Sequence, residues 1–434
     1  MTTDLATAGK HPETGFWSVF RVSSGNFLEM YDFMVFGYYA EAIGAAFFPT
    51  GDPVTRLLLA FMTFGAGFLM RPLGAVILGA YADKHGRRAG LLLTLTLMAV
   101  GVVSLALTPG YKTIGVAAPL IVLAGRLLQG FSAGMELGGV SVYLSEIAPP
   151  GRKGFYVAWQ SGSQQVAVVV AAIIGLTLNH LLGKSEMNAW GWRIPLLIGC
   201  LIAPALFLMR RHMQETEAFS KQIHRPELAE IWRSLLTHAR IVGIGLMLVT
   251  MTTVSFYMIT AYTPTFGTAV LKLSSTAAFT VTMCVGLSNL ILLPVMGAVS
   301  DRVGRKPLLY ACTLLMLVTA YPAMRWLVGA PSFERLLTVE LWLSVLYASY
   351  NGAMVVFLTE MIPVKLRAAG FSLAYSLAAA LFGGFSPAIA TWLIKHTGDK
   401  AMPGAWLSFA AAMGLVAALL ARAHEEGAGS TSPA

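Results

Sequence analysis

The stretch "GAYADKHGRRAGL" at residues 79–91 returns as "GAVSDRVGRKPLL" at 297–309. Gly79, Asp83, Gly86 and Arg87 recur as Gly297, Asp301, Gly304 and Arg305 at a constant offset of 218 residues. A solvated turn accounts for the charges of either copy but not for the repetition. A second pair, "VYLSEIAPPGRKGF" (142–155) and "VFLTEMIPVKLRAAGF" (356–371), aligns Glu146 with Glu360 and Gly154-Phe155 with Gly370-Phe371, with two residues inserted in the later copy. Two parallel repeats are therefore expected, related by an axis along the membrane normal and enclosing a site between them.

The chain around these repeats is 56% hydrophobic and 12% charged, against roughly 25% charged in an ordinary soluble domain. Apolar runs long enough to cross a bilayer as helices fall near 20–47, 56–81, 89–108, 113–136, 155–182 and 190–210, and again near 240–268, 275–299, 308–328, 335–360, 368–396 and 403–422. These twelve runs predict an all-α integral membrane protein of twelve transmembrane helices in two six-helix, pseudo-symmetric halves. The predicted organisation is a first half at 1–210, a polar linker at 211–239, a second half at 240–422 and a disordered tail at 423–434. The linker carries Arg, Glu and His and suits a loop with an amphipathic helix on the membrane surface.

With both termini on the cytoplasmic side, 19 Lys and Arg lie inside, 9 outside, and Arg71 and Arg126 within spans. This distribution follows the positive-inside rule. It makes the net charge of +9 a signal of topology rather than of nucleic-acid binding, because the cations are spread over short loops. Cys200, Cys284 and Cys312 all fall within predicted spans and suggest neither a disulfide framework nor a metal site. The first 17 residues lack the charged start and short apolar core of a cleavable signal, so the first span is expected to direct insertion. No nucleophile triad, metal cluster or dinucleotide fingerprint argues for an enzyme or a cofactor.

Ionised side chains at bilayer depth are costly and are expected to face the bundle interior. In "SSGNFLEMYDF" (23–33), Glu29 and Asp32 share a helical face and Asn26 extends the polar stripe. Two acids this close raise each other's proton affinity and desolvation adds to it, which suits proton carriers; the alternative is an acid hydrogen-bonded to a neighbouring helix. Arg126 and Glu136 are the ionisable residues of span 4, too far apart to pair, so each needs a partner elsewhere. Glu136 is expected near the cytoplasmic end, where it can carry protons or serve the inside gate. Arg71 suits a structural or gating role. Gln160 and Gln164, one turn apart on span 5, can donate to carboxylates or bind a neighbouring helix. Tyr257 and Tyr262 on span 7 and Tyr350 and Asn351 on span 10 offer further donors. Asp83, Arg87, Asp301, Arg305, Glu146 and Glu360 are the expected gating set.

The duplicated GxxxDxxGRR/K loop, "GRLLQG" (125–130) and the six-plus-six layout resemble the major facilitator superfamily. "FLMRPLGA" (68–75), "SAGMELGG" (132–139) and "GWRIPLLIG" (191–199) resemble its metabolite-proton symporters, with wording closest to the bacterial citrate and tricarballylate branch. Tyr81 and Lys84 depart modestly from the superfamily loop without removing the Asp or the Gly turn. The resemblance implies proton-coupled uptake of a tricarboxylate across the bacterial cytoplasmic membrane, with Arg126 coupling proton to substrate. Osmolyte symporters of the same family share these motifs, but those that sense osmotic stress carry a C-terminal coiled coil, and the tail after 422 is short and has no heptads. A dicarboxylate symporter, a lipophilic-cation exporter and a substrate receptor are the remaining alternatives. The sequence does not set the oligomeric state, and a monomer is compatible with it.

Overall fold

A computed structural model describes residues 26–429 except Gly86, Met135, 212–236 and 364–366. Most of the predicted linker and the last five residues of the tail lie outside the described residues.

Every run of apolar residues forms a helical rod, because a backbone in hydrocarbon must satisfy its own N–H and C=O groups. Span 1 comprises Asn26–Tyr38 and Ala40–Phe47, and span 2 comprises Pro53–Leu69 and Arg71–His85. Span 3 is Arg87–Leu107, span 4 Ala117–Ala133 followed by Glu136–Ile147, span 5 Lys153–Leu181 and span 6 Arg193–Arg211. Span 7 begins as Ala239–Tyr257 and continues through short turns to Val270; span 8 is Ser275–Val303, span 9 Arg305–Gly329 and span 10 Phe333–Met361. Span 11 runs from Arg367–Ala378 through Ala379–Gly383 to Ser386–Thr397, and span 12 is Met402–Gly429. Eight helical rods among the described residues are long and apolar enough to cross a membrane, those of spans 2, 5 and 7–12, and spans 1, 3, 4 and 6 are the remaining crossings.

Two boundaries differ from the sequence reading. Span 4 was expected to stop at 136 but continues to Ile147, since "ELGGVSVYLSEI" remains apolar. Position 136 therefore lies at a break within the rod and not near its end. Span 12 continues to Gly429, past the expected start of a disordered tail at 423, because Ala, Arg and Glu favour continued helix beyond the apolar stretch.

The breaks have local causes. Pro72 removes a backbone donor just where span 2 turns at Met70, whose N–H reaches back to the Gly67 and Phe68 carbonyls. In span 7, Pro264 sits between two π-helical turns, Met258–Tyr262 and Phe266–Val270; such bulges mark bent helices and functional sites. The most extensive helix contact joins span 5 to span 8, across the two sequence repeats. Gly154 and Gly297 make it possible: a Cβ on Gly297 would lie 2.4 Å from the Gly154 carbonyl oxygen. Without a hydrophobic drive between helices in lipid, such small residues allow backbones to meet.

Candidate functional site

Span 1 brings its two acids to two different arginines. Arg71 Nη2 lies 2.6 Å from Glu29 Oε1, and Arg126 Nη1 lies 2.7 Å from Asp32 Oδ2. Both arginines are at most 1% exposed. The expected mutual influence of Glu29 and Asp32 thus gives way to two separate ion pairs, each compensating a charge that would otherwise be buried alone. Arg126 Nη1 also donates to Gln129 Oε1 at 2.6 Å, one turn along its own helix.

Spans 2 and 4 hold these arginines in register by backbone contact. A Cβ on Gly130 would sit 1.6 Å from the Gly67 carbonyl oxygen, and one on Gly67 would sit 2.8 Å from that of Arg126. The kink at Pro72 follows directly, at Arg71. Aromatic rings fill the remaining space: the Arg126 guanidinium lies 4.6 Å from the centres of Phe33 and Phe36, and that of Arg71 lies 4.4 Å from Phe68 and 5.0 Å from Phe33. These distances suit cation–π attraction. Tyr257 of span 7 closes the cluster from the other half, edge-on to Phe68 at 5.1 Å and to Phe64 at 5.9 Å.

Several buried donors of this cluster have no hydrogen-bond partner among the described residues: Arg126 Nε and Nη2, Arg71 Nε and Gln129 Nε2. Buried polar atoms are normally satisfied, so these unused donors mark a place suited to an acceptor-rich ligand such as a carboxylate. A pocket of about 20 Å³ beside Glu29, lined also by Thr94, Met98 and Ser132, has room for a single water.

The other expected residues fall in several places. Gln160 and Gln164 are buried on span 5, and Gln160 Oε1 accepts from Ser161 at 2.8 Å. Tyr262 lies nearer the far end of span 7, against Phe61 and within 3.3 Å of Thr391. Tyr350 donates to the Leu248 carbonyl at 2.9 Å, which uses its hydroxyl in packing span 10 on span 7. The side chains of Asn26, Asp83, Arg87 and Glu136 lie outside the described residues. Sequence reasoning held Gln129 only as part of the span-4 motif, without a role, and passed over Tyr375, which lies within electrostatic reach of Arg71 and Glu29. It also passed over Glu340, an acid in "TVELWL" (338–343) of span 10 that is 2% exposed. The rule that singled out Glu29, an acid within an apolar run, would have found Glu340.

Both ends of the bundle are closed. At the end carrying the duplicated loops, Asp301 accepts from the backbone N–H groups of Gly154 at 2.8 Å and Phe155 at 3.1 Å. Arg305 steadies Asp301 at 2.7 Å and reaches Glu360 at 3.5 Å, while Glu146 is exposed in the last turn of span 4. At the opposite end, Lys395 of span 11 lies 2.7 Å from Asp52, the N-cap of span 2, and donates to Thr55. The hydrogen bonds from Lys395 and Thr55 hold the Asp52 carboxyl below the usual carboxylate range. Thr265 of span 7 also donates to the Gly37 carbonyl of span 1 at 3.1 Å.

Residues 18–230 match the family described as "Sugar (and other) transporter", and residues 268–433 match "Major Facilitator Superfamily". The chain is 57% identical over 402 residues to the citrate-proton symporter of Salmonella typhi, covering 93% of each chain. It is 56% identical over 413 residues to that of Klebsiella pneumoniae, covering 95% of this chain and 92% of the relative. Among solved structures it is similar to a D-xylose-proton symporter, with a TM-score of 0.74 at 20% identity over 94% of this chain and 97% of that one; at that identity the likeness speaks for the fold.

Proposed function

The chain belongs to the major facilitator superfamily and, within it, to the family of bacterial citrate-proton symporters, and from that premise we propose how its residues bring citrate into the cell together with protons. The carrying observation is the Arg126–Asp32 pair, with two further guanidinium nitrogens left unpartnered. A citrate carboxylate and Asp32 compete for the same guanidinium. Protonating Asp32 frees Arg126 for the anion, and deprotonating it expels the anion. Glu29 and Arg71 repeat the exchange one helical turn away. Competition for one cation thereby couples the two cargoes.

The energetics favour such coupling. Each negative charge carried inward against a 100 mV inside-negative potential costs about 2.3 kcal/mol, so a trianion moving alone would drain outward. Gln129, Gln160 and Asn351 supply neutral donors to the remaining oxygens. Tyr257 and Tyr375 bring the second half, 240–422, onto the ligand held by the first, 1–210, with 211–239 as the linker between them. Both termini face the cytoplasm, which makes Asp301–Gly154 the inner latch and Lys395–Asp52 the outer one. The carrier sits in the lipid of the cytoplasmic membrane, and the site is built from one chain.

The test is citrate-induced proton uptake by proteoliposomes, with tricarballylate, a dicarboxylate and a zwitterionic osmolyte as comparison substrates. External alkalinisation on adding citrate, lost in Asp32→Asn, is the expected result. A response to the osmolyte alone, or to none of the anions, overturns the assignment.

A further inference from the structure

The cycle above leaves one buried acid without a task. Glu340 lies in the outer third of span 10, is 2% exposed, and makes no ion pair among the described residues. One of its oxygens, Oε2, has no hydrogen-bond partner. Its side-chain partner is the hydroxyl of Thr263, which adjoins Pro264 in the bent part of span 7.

The chemistry of that bond depends on where the single hydroxyl proton of Thr263 goes. Thr263 Oγ1 donates to the Met258 carbonyl at 3.2 Å, within the π-helical turn. That one proton can serve either the Met258 carbonyl or a Glu340 carboxylate, so Thr263 by itself does not set the state of the acid. Burial does: a carboxylate with one bare oxygen and no cation is far costlier to bury than a neutral acid.

No charged side chain among the described residues bears on Glu340. On its own helix, Glu334 and Arg335 lie at the outer end, with Arg335 engaged by the Trp326 carbonyl. From span 7 the titratable neighbour of Thr263 is Tyr262, whose hydroxyl pairs with Thr391. From span 8 the polar groups are Ser288 and Asn289, both engaged by Ser344, and from span 9 Thr319, engaged by Trp342.

The same bend of span 7 closes the outer side. Thr265 bonds the Gly37 carbonyl, and a Cβ on Gly37 would lie 3.1 Å from that of Ala261. Building on the transport reading, we propose that Glu340 is a further proton-binding site, belonging to the outer gate: it takes a proton from the external water as span 7 bends shut, and returns it when span 7 opens outward. The step is protonation of one carboxylate oxygen, followed by donation of that O–H to Thr263 Oγ1.

The experiment is citrate counterflow in proteoliposomes at varied external pH, comparing wild type with Glu340→Gln, whose amide stays neutral and keeps a donor. Closure requires the neutral acid, so wild-type exchange should fall as external pH rises, by up to about tenfold per unit for a single proton; Glu340→Gln should lose that one-proton component. A variant profile that overlays the wild type overturns the proposal. Should Glu340→Gln fail to fold, infrared spectroscopy of wild type and Thr263→Val serves instead. A neutral-carboxyl band that shifts when Thr263 is replaced supports the assignment, and the absence of any Thr263-sensitive band overturns it. Citrate-driven alkalinisation by wild type in the same vesicles separates the two ideas: with it intact, a negative result removes only the role of Glu340, and without it the transport reading falls.

Discussion

Asp301 caps a helix that belongs to the other sequence repeat: its carboxylate lies 2.8 Å from the backbone nitrogen of Gly154, in the first turn of span 5. The first N–H groups of a helix have no partner of their own, and the helix dipole favours an anion there. A cap normally comes from the preceding loop. Here it comes across the interface, so it exists only while that end is shut.

Asp301→Ala removes both acceptors of the cap. With a cap worth about 0.5 to 2 kcal/mol, the closed population at this end should fall by roughly two- to thirtyfold. Spectroscopic distances between labels on the loops after spans 4 and 8 measure it, and an unchanged distance distribution would show that the cap does not hold the gate.

Arg126→Lys keeps the charge but not the planar fork: one nitrogen, Nη1, serves both Asp32 and Gln129, and the substitution gives up the Nε and Nη2 donors that stand free for an anion. Citrate uptake should drop at least about tenfold, corresponding to about 1.4 kcal/mol of lost binding in the transport step, while expression persists. Arg126→Gln instead strands Asp32, at a cost of about 3 to 5 kcal/mol, and should deplete folded protein; adding Asp32→Asn should restore folding without transport. Thermal stability and uptake of the three variants check this pattern.

Gly297→Ala forces a methyl to 2.4 Å from the Gly154 carbonyl oxygen. Overpacking of this kind costs about 1 to 3 kcal/mol, and it should separate spans 5 and 8 at the end that Asp301 latches. A lower melting temperature, together with faster labelling of cysteines placed on that end, is the expected outcome; neither change would mean that the backbones yield without loss.

The Asp52–Lys395 latch has a lowered carboxyl pKa. Its stabilising effect is therefore fully present above the ordinary Asp range, near 3.9, and is lost only as pH falls toward the depressed value. Between pH 5 and 8 it should contribute no pH dependence. Salt should act instead, because at about 1 M the screening length shrinks to roughly 3 Å. Opening of this end, followed by distance labels, should increase with salt in wild type and be insensitive to it in Asp52→Asn.

The fold was legible in the sequence because bilayer length and a repeated loop each constrain it, and Gly79 to Arg87 returning as Gly297 to Arg305 satisfied both. The ionisable members of the site were legible for the same reason: Glu29, Asp32, Arg71 and Arg126 stand out in apolar runs. Their pairing was not. Helical spacing relates residues within one rod, whereas Arg71–Glu29 and Arg126–Asp32 depend on how Gly67 and Gly130 let spans 2 and 4 approach. Tyrosines were the hardest to sort. Tyr257 and Tyr350 read alike along the chain, yet one faces the arginines and the other spends its hydroxyl on Leu248.

The phenylalanines around Arg126 have a consequence for the moment when Asp32 becomes neutral. At that instant a guanidinium would stand bare in a dry interior, and in an aliphatic setting it would have every reason to keep its counter-ion. The faces of Phe33 and Phe36, 4.6 Å away, are weakly negative and do not titrate. In the proposed exchange they would act as a chaperone for the orphaned cation, holding it while one anion replaces another.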